Sequence, residues 1–212
     1  MFLKERERIM LSNRLVKHFG AAAAAAVVVG SANAAIVTWN INAVIPANID
    51  GLYINIAAQT TGTTGGATAG WDINPYGSTT LNFFASATAP NPATTYVRTQ
   101  ATGGPSSLAA GTLIGAASTY ANSTTTVVSA TGVGSNGWVA NSVNYFGFRF
   151  YNESTASINY GYGAMQVGAT GGVRTLLFLE YGNAGESVSV VPAPGALALV
   201  GLAGIAARRR RR

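Results

Sequence analysis

Between residues 35 and 187 apolar and polar positions alternate in short runs that turn residues interrupt. Ile36 to Val44, Gly51 to Ala57, Thr79 to Ser86, Thr94 to Gln100 and Thr124 to Ala130 are β-branched or aromatic runs of strand length. Clusters such as Thr60 to Gly70, Pro90-Asn91-Pro92 and Gly103-Gly104-Pro105 separate them. The clearest strand is Val143 to Tyr151. Its even positions put Asn144, Phe146, Phe148 and Phe150 on one face, and its odd positions put Tyr145, Gly147, Arg149 and Tyr151 on the other. Ser157 to Val167 alternates in the same way, with Ile158, Tyr160 and Tyr162 together. Val173 to Tyr181 groups Val173, Leu177, Leu179 and Tyr181. The nearest thing to a helical stripe is Ala109 to Ala117, and Gly111 and Gly115 argue against it. About eight to ten short strands at this spacing predict a mostly β fold, an antiparallel β-sandwich with the jelly roll as its candidate topology.

The two ends follow a different pattern. A basic segment runs to Lys17-His18, and Phe19 to Val29 is an apolar run built on six alanines and three valines. Ala32-Asn33-Ala34 then places small residues where a signal peptidase reads, with Ala35 opening the mature chain. That layout predicts a secretory signal peptide over residues 1–34, on the general secretory route because no adjacent arginine pair precedes the core. At the other end, residues 188–212 contain Val191-Pro192-Ala193-Pro194-Gly195, an uncharged apolar run to Ala207, and Arg208, Arg209, Arg210, Arg211 and Arg212. The prolines stop the preceding element, the apolar run is predicted to be a short transmembrane helix, and the arginines act as a cytoplasmic stop signal. Thirteen helical residues, Gly195 to Ala207, span about 20 Å against a hydrocarbon core of about 30 Å, so the segment reads as a temporary hold.

Charge follows the same division. The formal net charge is +6, yet between Ala35 and Ala207 three arginines (Arg98, Arg149, Arg174) face five carboxylates (Asp50, Asp72, Glu153, Glu180, Glu186), a net of −2. The basicity belongs to the ends and does not indicate a nucleic-acid surface. The middle is poor in charge and rich in small polar residues and aromatics, which suits a secreted β protein.

The inventory of reactive side chains excludes much chemistry. Cysteine is absent, His18 is the only histidine, and no lysine follows Lys17. The predicted mature chain therefore has no His-dependent Ser or Cys triad, no Ser-Lys dyad, no ordinary zinc site and no Schiff base. We expect no enzyme, no catalytic residue, no metal and no cofactor. Gly132-Val133-Gly134-Ser135-Asn136-Gly137 has the glycine spacing of a dinucleotide loop, but a strand rather than a helix is predicted from Trp138, so it reads as an inter-strand loop. Asp50 and Asp72 sit beside turn residues, in Asn48-Ile49-Asp50-Gly51 and Trp71-Asp72-Ile73-Asn74-Pro75, and read as turn caps, with a calcium ligand as the alternative. Glu153 and Glu186 read as solvated turn residues. A glycosidase would need two carboxylates facing one another across a cleft. Trp39, Trp71, Trp138, Tyr160 and Tyr162 are candidates either for the core or for stacking on sugar rings.

The proline motif, short apolar run and arginine cluster together resemble a PEP-CTERM sorting signal, with Ala193 where glutamate is usual. The middle resembles the β-rich domains of some such proteins through Asp50-Gly51-Leu52-Tyr53, Gly70-Trp71-Asp72-Ile73-Asn74 and Tyr145-Phe146-Gly147-Phe148-Arg149-Phe150, followed by Tyr160-Gly161-Tyr162-Gly163. The resemblance implies export by signal peptidase, an inner-membrane intermediate, and cutting near Pro192-Gly195 by an exosortase, with this chain as substrate. It implies delivery to the outer surface or polysaccharide matrix of a Gram-negative-type bacterium. The expected function is that of a surface or matrix structural protein; the alternative is a carbohydrate-binding module acting on extracellular polysaccharide.

Overall fold

The computed structural model describes residues 35–86, 94–122 and 124–191. Ala32, Ala34, the Pro90-Asn91-Pro92 cluster, Pro192 to Gly195, the apolar run and the terminal arginines lie outside them, as do both predicted flanking helices. The chain is mostly β, and every strand pairing is antiparallel. In chain order the strands are β1 (Val37–Val44), β2 (Tyr53–Asn55), β3 (Thr60–Gly62), β4 (Ile73–Tyr76), β5 (Asn82–Ala85), β6 (Thr95–Val97), β7 (Leu113–Ile114), β8 (Tyr120–Ala121), β9 (Ser142–Asn152), β10 (Ser157–Val167), β11 (Arg174–Tyr181) and β12 (Val188–Ser189). They form a six-stranded sheet in the order β1-β11-β10-β9-β6-β8, a four-stranded sheet β3-β2-β4-β5 and a two-stranded ribbon β12-β7. Among the described residues the one helical element is a 3-10 turn, Gly65–Ala67.

The long strands form where alternation is cleanest. Phe146, Phe148 and Phe150 point together into a core that also takes Met165 and Val167 from β10, Leu176, Leu179 and Tyr181 from β11, and Ile54, Ile73, Phe83 and Ala85 from the four-stranded sheet. Each buried phenylalanine contributes roughly 1.5–3 kcal/mol of apolar burial. The Tyr-Gly-Tyr-Gly run explains how three large rings fit side by side. Gly161 lies opposite Phe148 and Gly163 opposite Phe146. A Cβ on Gly163 would stand 2.6 Å from both the Phe146 ring and Leu179, so the rings occupy space that the glycines vacate.

Three features depart from the sequence reading. In β11, Phe178 lies opposite Ala164 and Leu176 opposite Met165, so Leu177 is an extra, bulged residue. The bulge shifts the face by one position: Leu176, not Leu177, enters the core, and Val173 is left exposed. Thr124 to Ala130 makes no strand; only Val128 bridges, to Leu81 and Gly134. Pro75, read as part of a turn, lies within β4 opposite Phe83, where its carbonyl accepts the Leu52 N–H at 3.1 Å. A proline can sit there because nothing requires its missing donor.

The opposite face of the six-stranded sheet carries a second, smaller cluster of Val97, Leu108, Ile114, Tyr160, Tyr162, Val188 and Val190. The chain thus returns after β11 to lay β12 beside β7, and Val190 is the last buried residue of the described chain.

Candidate functional site

The sheet registers decide where the aromatic candidates go. Trp138 is core: its ring packs 5.3 Å from Phe83, and its indole N–H donates to the Pro105 carbonyl at 2.8 Å. Trp39 lies half-buried against the main core. Tyr160 and Tyr162 are buried in the second cluster, where the Tyr162 hydroxyl donates to Glu180 and to the Val191 carbonyl. Both burial and the neighbouring carboxylate push the Tyr162 hydroxyl well above its ordinary pKa. The five aromatics singled out in the sequence therefore do not share a face.

Trp71 alone among them belongs to a solvent-facing aromatic cluster, with two partners, Tyr53 and Phe84, that the sequence reading did not count among the stacking candidates. In β2 and β5, Ile54 and Phe83 point into the core, so alternation turns Tyr53 and Phe84 to the opposite side. The Trp71 ring lies 5.0 Å from Tyr53, edge to face, and 5.9 Å from Phe84. Tyr53 and Trp71 are half-buried, and Phe84 is 37% exposed. Among the described residues neither the Trp71 indole N–H nor the Tyr53 hydroxyl meets a hydrogen-bond acceptor. The turn Gly65–Ala67 backs onto the cluster. Thr64 caps it by accepting the Ala67 N–H at 3.3 Å, and a Cβ on Gly65 would stand 3.1 Å from both Trp71 Nε1 and Tyr53 Cε1. The alternation around Tyr53 and Phe84 is the signal that could have found this face.

Next to the cluster is a cavity of about 380 Å³ lined by Asn55, Ala57, Ala58, Ala69, Gly70, Glu153 and Ser154. Asn55 braces its wall, donating to the Ala69 carbonyl at 2.9 Å and accepting the Ala58 N–H at 2.8 Å. Gly70, at φ +67°, makes the turn that leads from the cavity to Trp71. Glu153, read as a solvated turn residue, is exposed in the β9–β10 turn and lines this cavity.

Behind the site, Asp72 is fully buried. Its carboxylate accepts the Ile56 N–H at 2.8 Å and the Thr94 hydroxyl at 3.4 Å, joining β2 to the start of β6. It is not a local turn cap. Burial pushes its pKa up to about 7; the two hydrogen bonds oppose that rise, and the nearby Glu153 charge adds to it. Asp50 is exposed, and the capping side chain there is Asn48, which accepts the N–H groups of Asp50 and Gly51 at 3.1 and 2.7 Å. No group of three or more His, Cys, Asp or Glu able to hold a metal occurs among the described residues. The glycine-rich stretch from Gly132 to Gly137 is a loop with positive φ at Gly132 and Gly137, and β9 rather than a helix follows it.

The site can offer aromatic rings, two donors that are unpartnered among the described residues, and a carboxylate-edged hollow. No protein-family model, curated protein or solved structure matches this chain.

Proposed function

We propose that the chain is an exported surface or extracellular-matrix structural protein. Its folded part is a β-sandwich, with the jelly roll as candidate topology. The C-terminal apolar segment holds it in the inner membrane until an exosortase cuts near Pro192-Gly195. The reading rests on the three-part tail and the signal-like first 34 residues. One structural observation supports it. Packing runs through Val190, and the Val191 carbonyl accepts the Tyr162 hydroxyl at 3.2 Å, so the folded part reaches the residue just before Pro192. Cutting beyond that point leaves every described contact intact.

Mass spectrometry of the protein in surface and inner-membrane fractions tests the reading. The surface form is expected to begin at Ala35 and to lack Arg208 to Arg212, with its end near Pro192-Gly195. An intact arginine tail in the surface fraction overturns the processing step. A second reading, carbohydrate binding, is supported by the half-exposed cluster of Tyr53, Trp71 and Phe84 beside the cavity.

A further inference from the structure

We infer that β1 is an assembly edge, through which two copies of this chain join antiparallel about a two-fold axis into one continuous sheet. The inference does not rest on export or sorting.

β1 ends the six-stranded sheet. One of its sides pairs with β11, and among the described residues no hydrogen bond reaches the other. An open strand edge is a row of unpaired N–H and C=O groups, which soluble proteins ordinarily blunt with short strands, charges, proline or a covering segment. Other edges of this fold follow that rule. β3 and β8 are three and two residues long. β5 is covered: Asn122 exchanges two hydrogen bonds with the Ala85 backbone, and Val128 bridges Leu81. β1 does not follow it, for its eight residues, Val37 to Val44, carry no charge and no proline. The core is cut off there as well. Val37, Trp39 and Ala43 stand beside Tyr181, Leu179 and Leu176 of β11. The β11 residues are buried and their β1 neighbours only half-buried, because each row of the core ends at β1.

The strand's own sequence identifies the occupant. A two-fold axis sets the strand against itself, so any charge on it would meet its like, and β1 has none. A bulge at Ile41 and Asn42, with Asn42 at φ +50°, ends the straight part of the strand. Antiparallel pairing of Val37 to Ile41 with the same segment of a second copy centres on Trp39. Trp39 then faces Trp39 of the other copy and Val37 faces Ile41, so the core rows run on between copies. On the outer face Thr38 meets Asn40. Apolar meets apolar and polar meets polar at every position, and such cross-strand pairs stabilise a sheet. Each β1 is used once, so the assembly closes at a dimer.

Sedimentation velocity of the full chain in mild detergent provides the test, over a concentration series to about 100 μM, a range that covers micromolar association. The wild type is expected to pass from monomer to dimer. Thr38 and Asn40 are exposed, so both can be changed without touching the core. In Thr38→Lys/Asn40→Lys, lysine meets lysine across the pair, and the dimer is expected to weaken about tenfold or more. In Thr38→Lys/Asn40→Glu, lysine meets glutamate in this register, and the dimer is expected to hold at least as well as in the wild type. A parallel pairing would set like against like in both variants. Association through the terminal segments would be the same in all three chains. Should the double-lysine chain unfold, hydrogen exchange of the wild type decides: Val37 to Ile41 gain protection as concentration rises, and a lack of gain overturns the inference. It is overturned equally by a wild type that stays monomeric, by a double-lysine chain that associates like the wild type, or by a lysine–glutamate chain as weak as the double-lysine one.

Discussion

Asp72 is a residue whose position costs stability at neutral pH. Its carboxyl group is sealed from water, and two hydrogen bonds only partly offset the loss of hydration that raises its pKa to about 7. The unfolded chain holds the same group near the ordinary value of about 3.9. Between those values the folded state binds the proton and the unfolded state does not. The stabilisation is therefore complete below about pH 4 and is lost as pH rises toward 7, an effect of roughly 3–4 kcal/mol at most. Asp72→Asn keeps an acceptor for Ile56 and cannot ionise. Urea unfolding of both chains at intervals from pH 4 to 8 isolates the effect, because Asp72 is the one side chain in which they differ. The wild type should lose stability relative to the variant as pH rises, and the variant should match or exceed it at pH 8. Parallel stability curves would show that Asp72 ionises normally.

At the scale of elements, the sequence was most informative where one face is buried and the period is unbroken. β9 and β10 follow their alternation residue for residue, because eleven paired positions leave no room for a slip. β11 kept its range but lost its phase at Leu177, since a bulge adds a residue that periodicity cannot anticipate. β7, β8 and β12 are two residues each, too short to carry any period. The candidate site was half legible for the same reason. Trp71 stood out as a large aromatic, whereas Tyr53 and Phe84 join it only once β2 and β5 are placed in one sheet through β4. The short ribbon also makes a separable prediction. Val190 is buried in the second cluster, its N–H donates to Thr112 and its carbonyl accepts from Gly111, both at 2.9 Å. Val190→Asp would bury a carboxylate among tyrosines, at a cost of several kcal/mol. Hydrogen exchange should then show residues 109–121 and 186–191 losing protection while β9 and β10 keep theirs. Uniform loss across all strands would mean that the two clusters unfold as one unit.

At the scale of the whole molecule, one buried cation ties loops of the two larger sheets together. Arg174 opens β11 in the six-stranded sheet and is buried. Its Nη1 donates to the carbonyls of Thr80 and Gly171, and its Nη2 to those of Pro46 (2.9 Å) and Gly77. Pro46 lies on the passage from β1 to β2, and Gly77 and Thr80 form the turn from β4 to β5, so one guanidinium fastens loops of both sheets. These partners are neutral, and burial lowers the Arg174 pKa to about 10, which still leaves it charged at physiological pH. Among the described residues its Nε is buried without a hydrogen-bond partner. A lysine there presents one nitrogen and cannot span both pairs. Arg174→Met keeps the length and volume but strands the carbonyls, and the expected loss is roughly 3–5 kcal/mol, with Arg174→Lys intermediate. In a domain of this size that corresponds to a fall in Tm of about 10 °C. Thermal and urea unfolding of the three chains decide it: a methionine variant within about 1 kcal/mol of wild type would mean that water replaces the guanidinium and that the sheets are joined by their apolar core alone.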